Sequence, residues 1–165
     1  MTSPAVVTSI EAPFTVNEVG ILQFPTPGLG DNSYLLHSGG EAVIVDPQRD
    51  LERFRAALRE HDLRLIAVVE THVHNDYVSG GPALAREFGA MYVVPAQAGY
   101  ELEHRPVAEG DLVHVGAIRL RALHTPGHTE HHMSYEVVEG SEVRAVFSGG
   151  SVLVGACGRT DLVSP

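Results

Sequence analysis

Leu65-Ile66-Ala67-Val68-Val69 is a continuous apolar run that leads into Thr71-His72-Val73-His74-Asn75-Asp76. An apolar run of this length reads as a buried strand, here spanning residues 63–71, which hands its polar end to a loop. Residues i and i+2 of an extended segment project to one side, so His72 and His74 converge while Val73 turns away. Asp76 follows at the next step of the same spacing. Two imidazoles and a carboxylate on one side of a strand end are the donor types that hold a transition metal.

The chain has 165 residues, 44% of them hydrophobic, the size of one domain with an ordinary core. Residues 1–165 are therefore expected to form a single unit, with 1–15 irregular. Acidic residues number 21 against 11 basic ones, a formal charge of -10. That balance repels phosphate backbones and anionic membrane surfaces, which argues against nucleic acid or membrane as a partner. Every basic residue is arginine, so lysine Schiff-base and P-loop lysine chemistry is excluded. The single cysteine, Cys157, forms no internal disulfide and fits a reducing compartment, with cytoplasm as the expectation. Neither a basic-then-apolar leader nor an apolar stretch of about 20 residues is present.

Along the chain, Val19 to Phe24 reads as a strand and Pro25 to Asp31 as a loop rich in breakers. Ser33 to His37 and Ala42 to Asp46 read as a hairpin turning at Ser38-Gly39-Gly40. Leu51 to Asp62 carries Leu51, Phe54 and Leu58 at helical spacing, with Arg53, Arg55 and Arg59 expected in solvent. A second helix covers Gly81 to Phe88, and Met91 to Val94 is a short strand. Gly110 to Leu123 reads as a strand pair, and His132 to Val138 with Val143 to Ser148 as a hairpin around Gly140.

A second histidine locus occurs at His124-Thr125-Pro126-Gly127-His128-Thr129-Glu130-His131-His132. Pro126-Gly127 forces a turn that aims His128 into a cleft, making it the third candidate ligand. His131 and His132 are weaker candidates, and His37, His61, His104 and His114 read as surface or edge residues. Cys157 reads as a small buried hydrophobe, with a redox-sensitive thiol as the alternative.

The run from Thr71 to Asp76, then Thr125 to Thr129, then Phe147-Ser148-Gly149-Gly150 resembles the metallo-β-lactamase superfamily in order and spacing. Gly155-Ala156-Cys157-Gly158-Arg159-Thr160-Asp161 is similar to the persulfide dioxygenase branch, which is related to the glyoxalase II thioesterases. The resemblance implies an α/β (α+β) αββα sandwich with a metal at one edge of the sheets. It implies a glutathione persulfide substrate, oxidised with dioxygen to sulfite and glutathione at one non-haem iron held by two histidines and an aspartate. It also places Arg159 and Thr160 where the thiol substrate binds.

The chain departs from that pattern in three places. Tyr77 stands where the superfamily has a histidine, Gly150 stands where it has an aspartate, and the chain stops at Pro165, short of the usual length. Without the residues at 77 and 150, a dinuclear hydrolase with ions about 3.5–4 Å apart is disfavoured. A mononuclear centre then uses His72, His74 and His128, with Asp76 as ligand or orienter and Tyr77 as a hydrogen-bond donor. Fe(II) is the expected ion and Zn(II) the alternative. The other readings are a glyoxalase II-like thioester hydrolase and a catalytically silent binding protein of the same fold. A shortened sandwich leaves sheet surface to cover, so the expectation is a homodimer or a longer natural protein, with a functional link to a rhodanese-like sulfurtransferase.

Overall fold

A computed structural model describes residues 19–28, 30–153 and 155–158. The apolar run that dominates the sequence becomes β4 (Arg64–Val69), with Ala67, Val68 and Val69 fully buried. It lies inside a six-stranded sheet with β1 (Gly20–Thr26), β2 (Asp31–Ser38), β3 (Glu41–Val45), β5 (Met91–Pro95) and β6 (Arg105–Val107), in the order β1-β2-β3-β4-β5-β6. The first three strands are antiparallel, and β3 to β6 run parallel. Parallel strands are covered on both faces, which is why β4 carries no polar alternation. Its register against β3 shifts between Ala42 and Val43, leaving Ile66 outside the pairing.

A second sheet, ordered β10-β9-β8-β7, comprises β7 (Leu112–Val115), β8 (Ile118–His124), β9 (Met133–Glu139) and β10 (Glu142–Phe147), all antiparallel. Leu36, Val43, Val69 and Val93 of the first sheet meet Val113, Leu120, Tyr135 and Val137 of the second in one core. The other core lies on the opposite face of the first sheet, where α1 (Glu52–Glu60) and α2 (Gly81–Phe88) cover it with Phe54, Leu58 and Leu84. The mixed α/β class and the superposed sheets agree with expectation, and the layers run helices, sheet, sheet among the described residues.

The turn at Gly39 and Gly40, with φ of 57° and 77°, closes the expected β2–β3 hairpin with the left-handed backbone such a turn needs. It receives the β7–β8 turn of the other sheet, where the Gly116 amide donates to Glu41 Oε2 at 2.9 Å. Gly116 has φ +54°, and a Cβ there would stand 2.2 Å from the Ser38 carbonyl oxygen.

Three features differ from the sequence reading. Strand β6 is hidden in sequence by Pro106, which the sheet accepts because β6 is an edge. Arg53 is not solvated like Arg55 and Arg59, since its guanidinium sits 5.0 Å from the Phe54 ring and 5.9 Å from that of Phe24. Cys157 is exposed rather than buried, on the short hairpin of β11 (Val152–Leu153) and β12 (Ala156–Cys157). No helix among the described residues is long and apolar enough to cross a membrane.

Candidate metal centre

The parallel strands β3 and β4 end side by side, so the residues that follow them meet at one edge of the sandwich. Beyond β3, Asp46 adopts φ 48° and its amide continues the ladder to the Val69 carbonyl at 3.0 Å. Its carboxylate accepts two bonds of 2.7 Å from Thr71, one from the amide and one from the hydroxyl. With its proton committed there, Thr71 Oγ1 accepts from His72 Nδ1 at 2.9 Å. That contact fixes the His72 tautomer and leaves Nε2 as a lone pair. Burial first, and the neighbouring His74 next, push the His72 pKa down to about 3, so the ring is neutral near pH 7.

The second sheet contributes the loop between β8 and β9. The His128 ring meets His72 edge-on, with centroids 4.8 Å apart, and its buried Nδ1 has no hydrogen-bond partner. His132 is fully buried, stacks on His72 at 5.1 Å and bonds Thr125 Oγ1 through Nδ1 at 2.9 Å. Burial is the main cause that lowers its pKa to about 4, and its Nε2 is also without a partner. His131 Nε2 accepts from the Val73 amide at 3.1 Å, and the Met133 amide donates to the Thr71 carbonyl at 2.7 Å. The two histidine loops are therefore tied to each other by the backbone.

His74 lies beside His72, ring centroids 4.0 Å apart, but its Nε2 points elsewhere. It forms an ion pair with each of two buried carboxylates, 3.2 Å from Asp46 Oδ1 and 3.5 Å from Glu70 Oε2. Burial opposes charge on His74, yet the Asp46 and Glu70 carboxylates outweigh it and raise the pKa to about 10. Asp76 is 48% exposed in its side chain, with Oδ1 3.8 Å from His74 Nδ1. The Tyr77 ring stacks on His74 at 4.3 Å, and its hydroxyl donates to the Asp46 carbonyl at 3.1 Å. Burial, then the carboxylates of Asp46 and Glu70, push the Tyr77 pKa upward.

Beyond β10, Gly149 and Gly150 close against the same cluster. A Cβ on Gly150 would lie 2.5 Å from His128 Cδ2 and 2.7 Å from its Nε2. The His128 ring thus fills the space a side chain at 150 would enter.

Of the sequence candidates, His72 and His128 adjoin directly, His74 neighbours them but faces two carboxylates, and Asp76 and Tyr77 line the same cavity. Arg159 and Thr160 lie outside the described residues. Sequence reasoning missed Asp46 and Glu70 and underweighted His132. The available signal was position, because Asp46 and Glu70 each follow the last residue of a parallel strand, where α/β proteins gather ligands. The cavity holds about 860 Å³, with Ile21, Tyr34 and Phe147 as apolar wall. Its described lining includes Asp31, Asp46 and Asp76 and no arginine. A smaller cavity of about 240 Å³ lies on the Glu70 side of His74, against Tyr92 and Tyr100.

Lone pairs fixed by threonine hydroxyls, neutral imidazoles and orphaned buried ring nitrogens fit a divalent metal. Two facing sheets with histidines from both meeting at one edge define a metal-binding sandwich protein. The chain belongs to the metallo-beta-lactamase superfamily, whose family model matches residues 26–164. It is 34% identical over 136 residues to hydroxyacylglutathione hydrolase of Aliivibrio fischeri (strain MJ11), covering 81% of this chain and 52% of that protein. A metallo-beta-lactamase from Staphylococcus aureus superposes with TM-score 0.84 at 34% identity, covering 89% of this chain and 47% of the other. ETHE1 from Myxococcus xanthus gives TM-score 0.77 at 32% identity, with 86% and 62% covered. The chain spans about half the length of the curated relatives it matches.

Proposed function

We propose that this protein is a mononuclear metal-dependent enzyme of sulfur metabolism that oxidises glutathione persulfide to sulfite and glutathione. The observation that carries the mononuclear reading is the pair Tyr77 and Gly150. Tyr77 spends its hydroxyl on the Asp46 carbonyl, and Gly150 offers no side chain, so neither supplies a ligand for a second ion. A single Fe(II), with Zn(II) as the alternative, would be held by His72 and His128, with His74 or Asp76 completing the set. When bound, iron would supply the redox chemistry that lets dioxygen oxidise the terminal persulfide sulfur.

This chain's residues contribute the setting. Thr71 holds His72 with its lone pair presented, and burial keeps that ring neutral so that no proton competes for it. The apolar wall at Ile21, Tyr34 and Phe147 shields a reactive sulfur from water. Arg159 and Thr160 are assigned to the glutathione part, the arginine answering its carboxylates where the described cavity lining offers no arginine. In the overall reaction the terminal sulfur is oxidised by one dioxygen, one water supplies the third oxygen of sulfite, and the inner sulfur leaves as the glutathione thiol. The same reading takes residues 1–165 as one domain, places the protein in the cytoplasm as a homodimer, and draws its persulfide from a rhodanese-like sulfurtransferase.

A second reading, hydrolysis of a glutathione thioester at Zn(II), is favoured by the relatives that carry the name hydroxyacylglutathione hydrolase. Elemental analysis joined to parallel assays separates the readings. Near-stoichiometric iron with dioxygen uptake on glutathione persulfide supports the first, and zinc with thioester cleavage replaces it by the second. Purification without metal and without either activity leaves a binding protein and overturns both.

A further inference from the structure

We infer that Asn32 and Tyr34, two residues apart on β2, form a subsite that holds a secondary amide of the thiol substrate. The inference rests on the proposed placing of a thiol in this cavity, and goes beyond it by naming the group that the protein reads next to the sulfur.

Sheet geometry puts the two side chains together. Alternate residues of a strand share a face, and Leu36, the next in this series, lies in the core between the two sheets. Tyr34 packs against that same core, and both Tyr34 and Asn32 line the larger cavity. Tyr34 stands in register with Val45, the residue before Asp46, so the pair sits beside the metal centre. Its ring lies 5.1 Å from that of Phe147, which leads into Ser148, Gly149 and Gly150 of the same lining.

Both residues keep donors unused. Gln23 Nε2 donates to Asn32 Oδ1 at 2.8 Å, which fixes the amide and leaves both Nδ2 hydrogens to a ligand. Of the five tyrosines, Tyr77, Tyr92, Tyr100 and Tyr135 have hydroxyls bonded within the protein. No hydrogen bond among the described residues engages the hydroxyl of Tyr34. Burial first, and Asp46 next, raise its pKa, so it stays a neutral donor. Two placed donors beside the apolar surface of Ile21, Ala145 and Phe147 are what a cavity needs to orient a ligand.

The acceptor they suit is uncharged. Asp31, Asp46 and Asp76 share the described lining, which holds no arginine, so a ligand carboxylate at this point meets like charge and an amide carbonyl does not. Two kinds of thiol carry an amide nitrogen two carbons from the sulfur: glutathione, through its acylated cysteine, and a pantetheine arm.

The test is calorimetric titration of the full chain with S-methylglutathione and, separately, with S-methylpantetheine, with thermal melts of each variant. Neither thioether is a persulfide, so the readout is independent of turnover. Tyr34→Phe keeps the ring against Phe147 and removes only the hydroxyl, and it decides the matter alone where Asn32→Ala does not fold. The expected result is a dissociation constant raised about fivefold or more in each variant, the worth of one hydrogen bond. Tyr34→Phe should melt like the wild type, because no hydrogen bond within the protein is lost. Weakening seen with S-methylpantetheine alone supports the subsite and removes glutathione as the substrate. Weakening seen with S-methylglutathione, but without persulfide oxidation by the wild type, supports the subsite and overturns the persulfide reading. Equal affinity in either folded variant, or no binding of either thioether by the wild type, overturns the subsite.

Discussion

The phenol of Tyr77 lies against the imidazole of His74, with ring centroids 4.3 Å apart, and its hydroxyl donates to the backbone carbonyl of Asp46 at 3.1 Å. One residue thus clamps the end of β3 to the loop after β4 at the position where the superfamily pattern has a metal-binding histidine. In this structure the Tyr77 hydroxyl is engaged by backbone at the position where the resemblance implies a ligand.

Removing that hydroxyl tests the clamp. Tyr77→Phe should lower the stability of the metal-free protein by about 1 kcal/mol, the usual worth of one such hydrogen bond, with metal content per chain unchanged. Denaturant melts and elemental analysis read both quantities. A fall in metal content would make Tyr77 a ligand-side residue instead.

Gly150→Asp restores the carboxylate that the resemblance implies, but its Cβ enters the space of the His128 ring. The metal-free variant should therefore melt lower, by about 1–3 kcal/mol of overpacking, while retaining more iron than the wild type through dialysis. Unchanged melting and unchanged retention together would place residue 150 away from His128. Adding Tyr77→His to this variant should raise the metal count from one ion to two in the cavity.

His72→Ala and His128→Ala should each abolish dioxygen uptake on glutathione persulfide together with the cavity iron. Activity retained in either variant removes that residue from the metal centre.

Gly116→Ala is expected to destabilise the chain by more than about 2 kcal/mol, although it touches no functional residue. The new methyl would press on the Ser38 carbonyl, a backbone atom that cannot turn aside, and the φ of +54° disfavours any L side chain. Chemical denaturation decides it, and a change below about 0.5 kcal/mol would show that the turn shifts freely.

Much of the fold was legible because burial left one-dimensional traces. Strand β4 announced itself by being apolar on both faces, and α1 by Phe54 and Leu58 at helical spacing. His72 and His128 were legible through their neighbours, a strand end in one case and Pro126-Gly127 in the other. Asp46 and Glu70 were not, because each looks like an ordinary polar residue after a strand until parallel pairing of β3 and β4 brings them together. His132 gave little away for a similar reason: its burial depends on Thr125 and on the facing loop. The two departures at 77 and 150 were visible in sequence, but what fills their places was not. Only the packed structure shows Tyr77 reaching Asp46 and His128 occupying the room beside Gly150.

The backbone bond from Met133 to Thr71 and the contact of His131 with Val73 join the two sheets at the point where the histidines meet. Neither sheet alone can hold the cluster, and its parts come from segments far apart in the chain. Closing such long loops is slow, so the site should be among the last features to appear as the protein folds. Metal capture during refolding would then report the final docking of the sheets, and a metal present at that moment would make the docking hard to reverse.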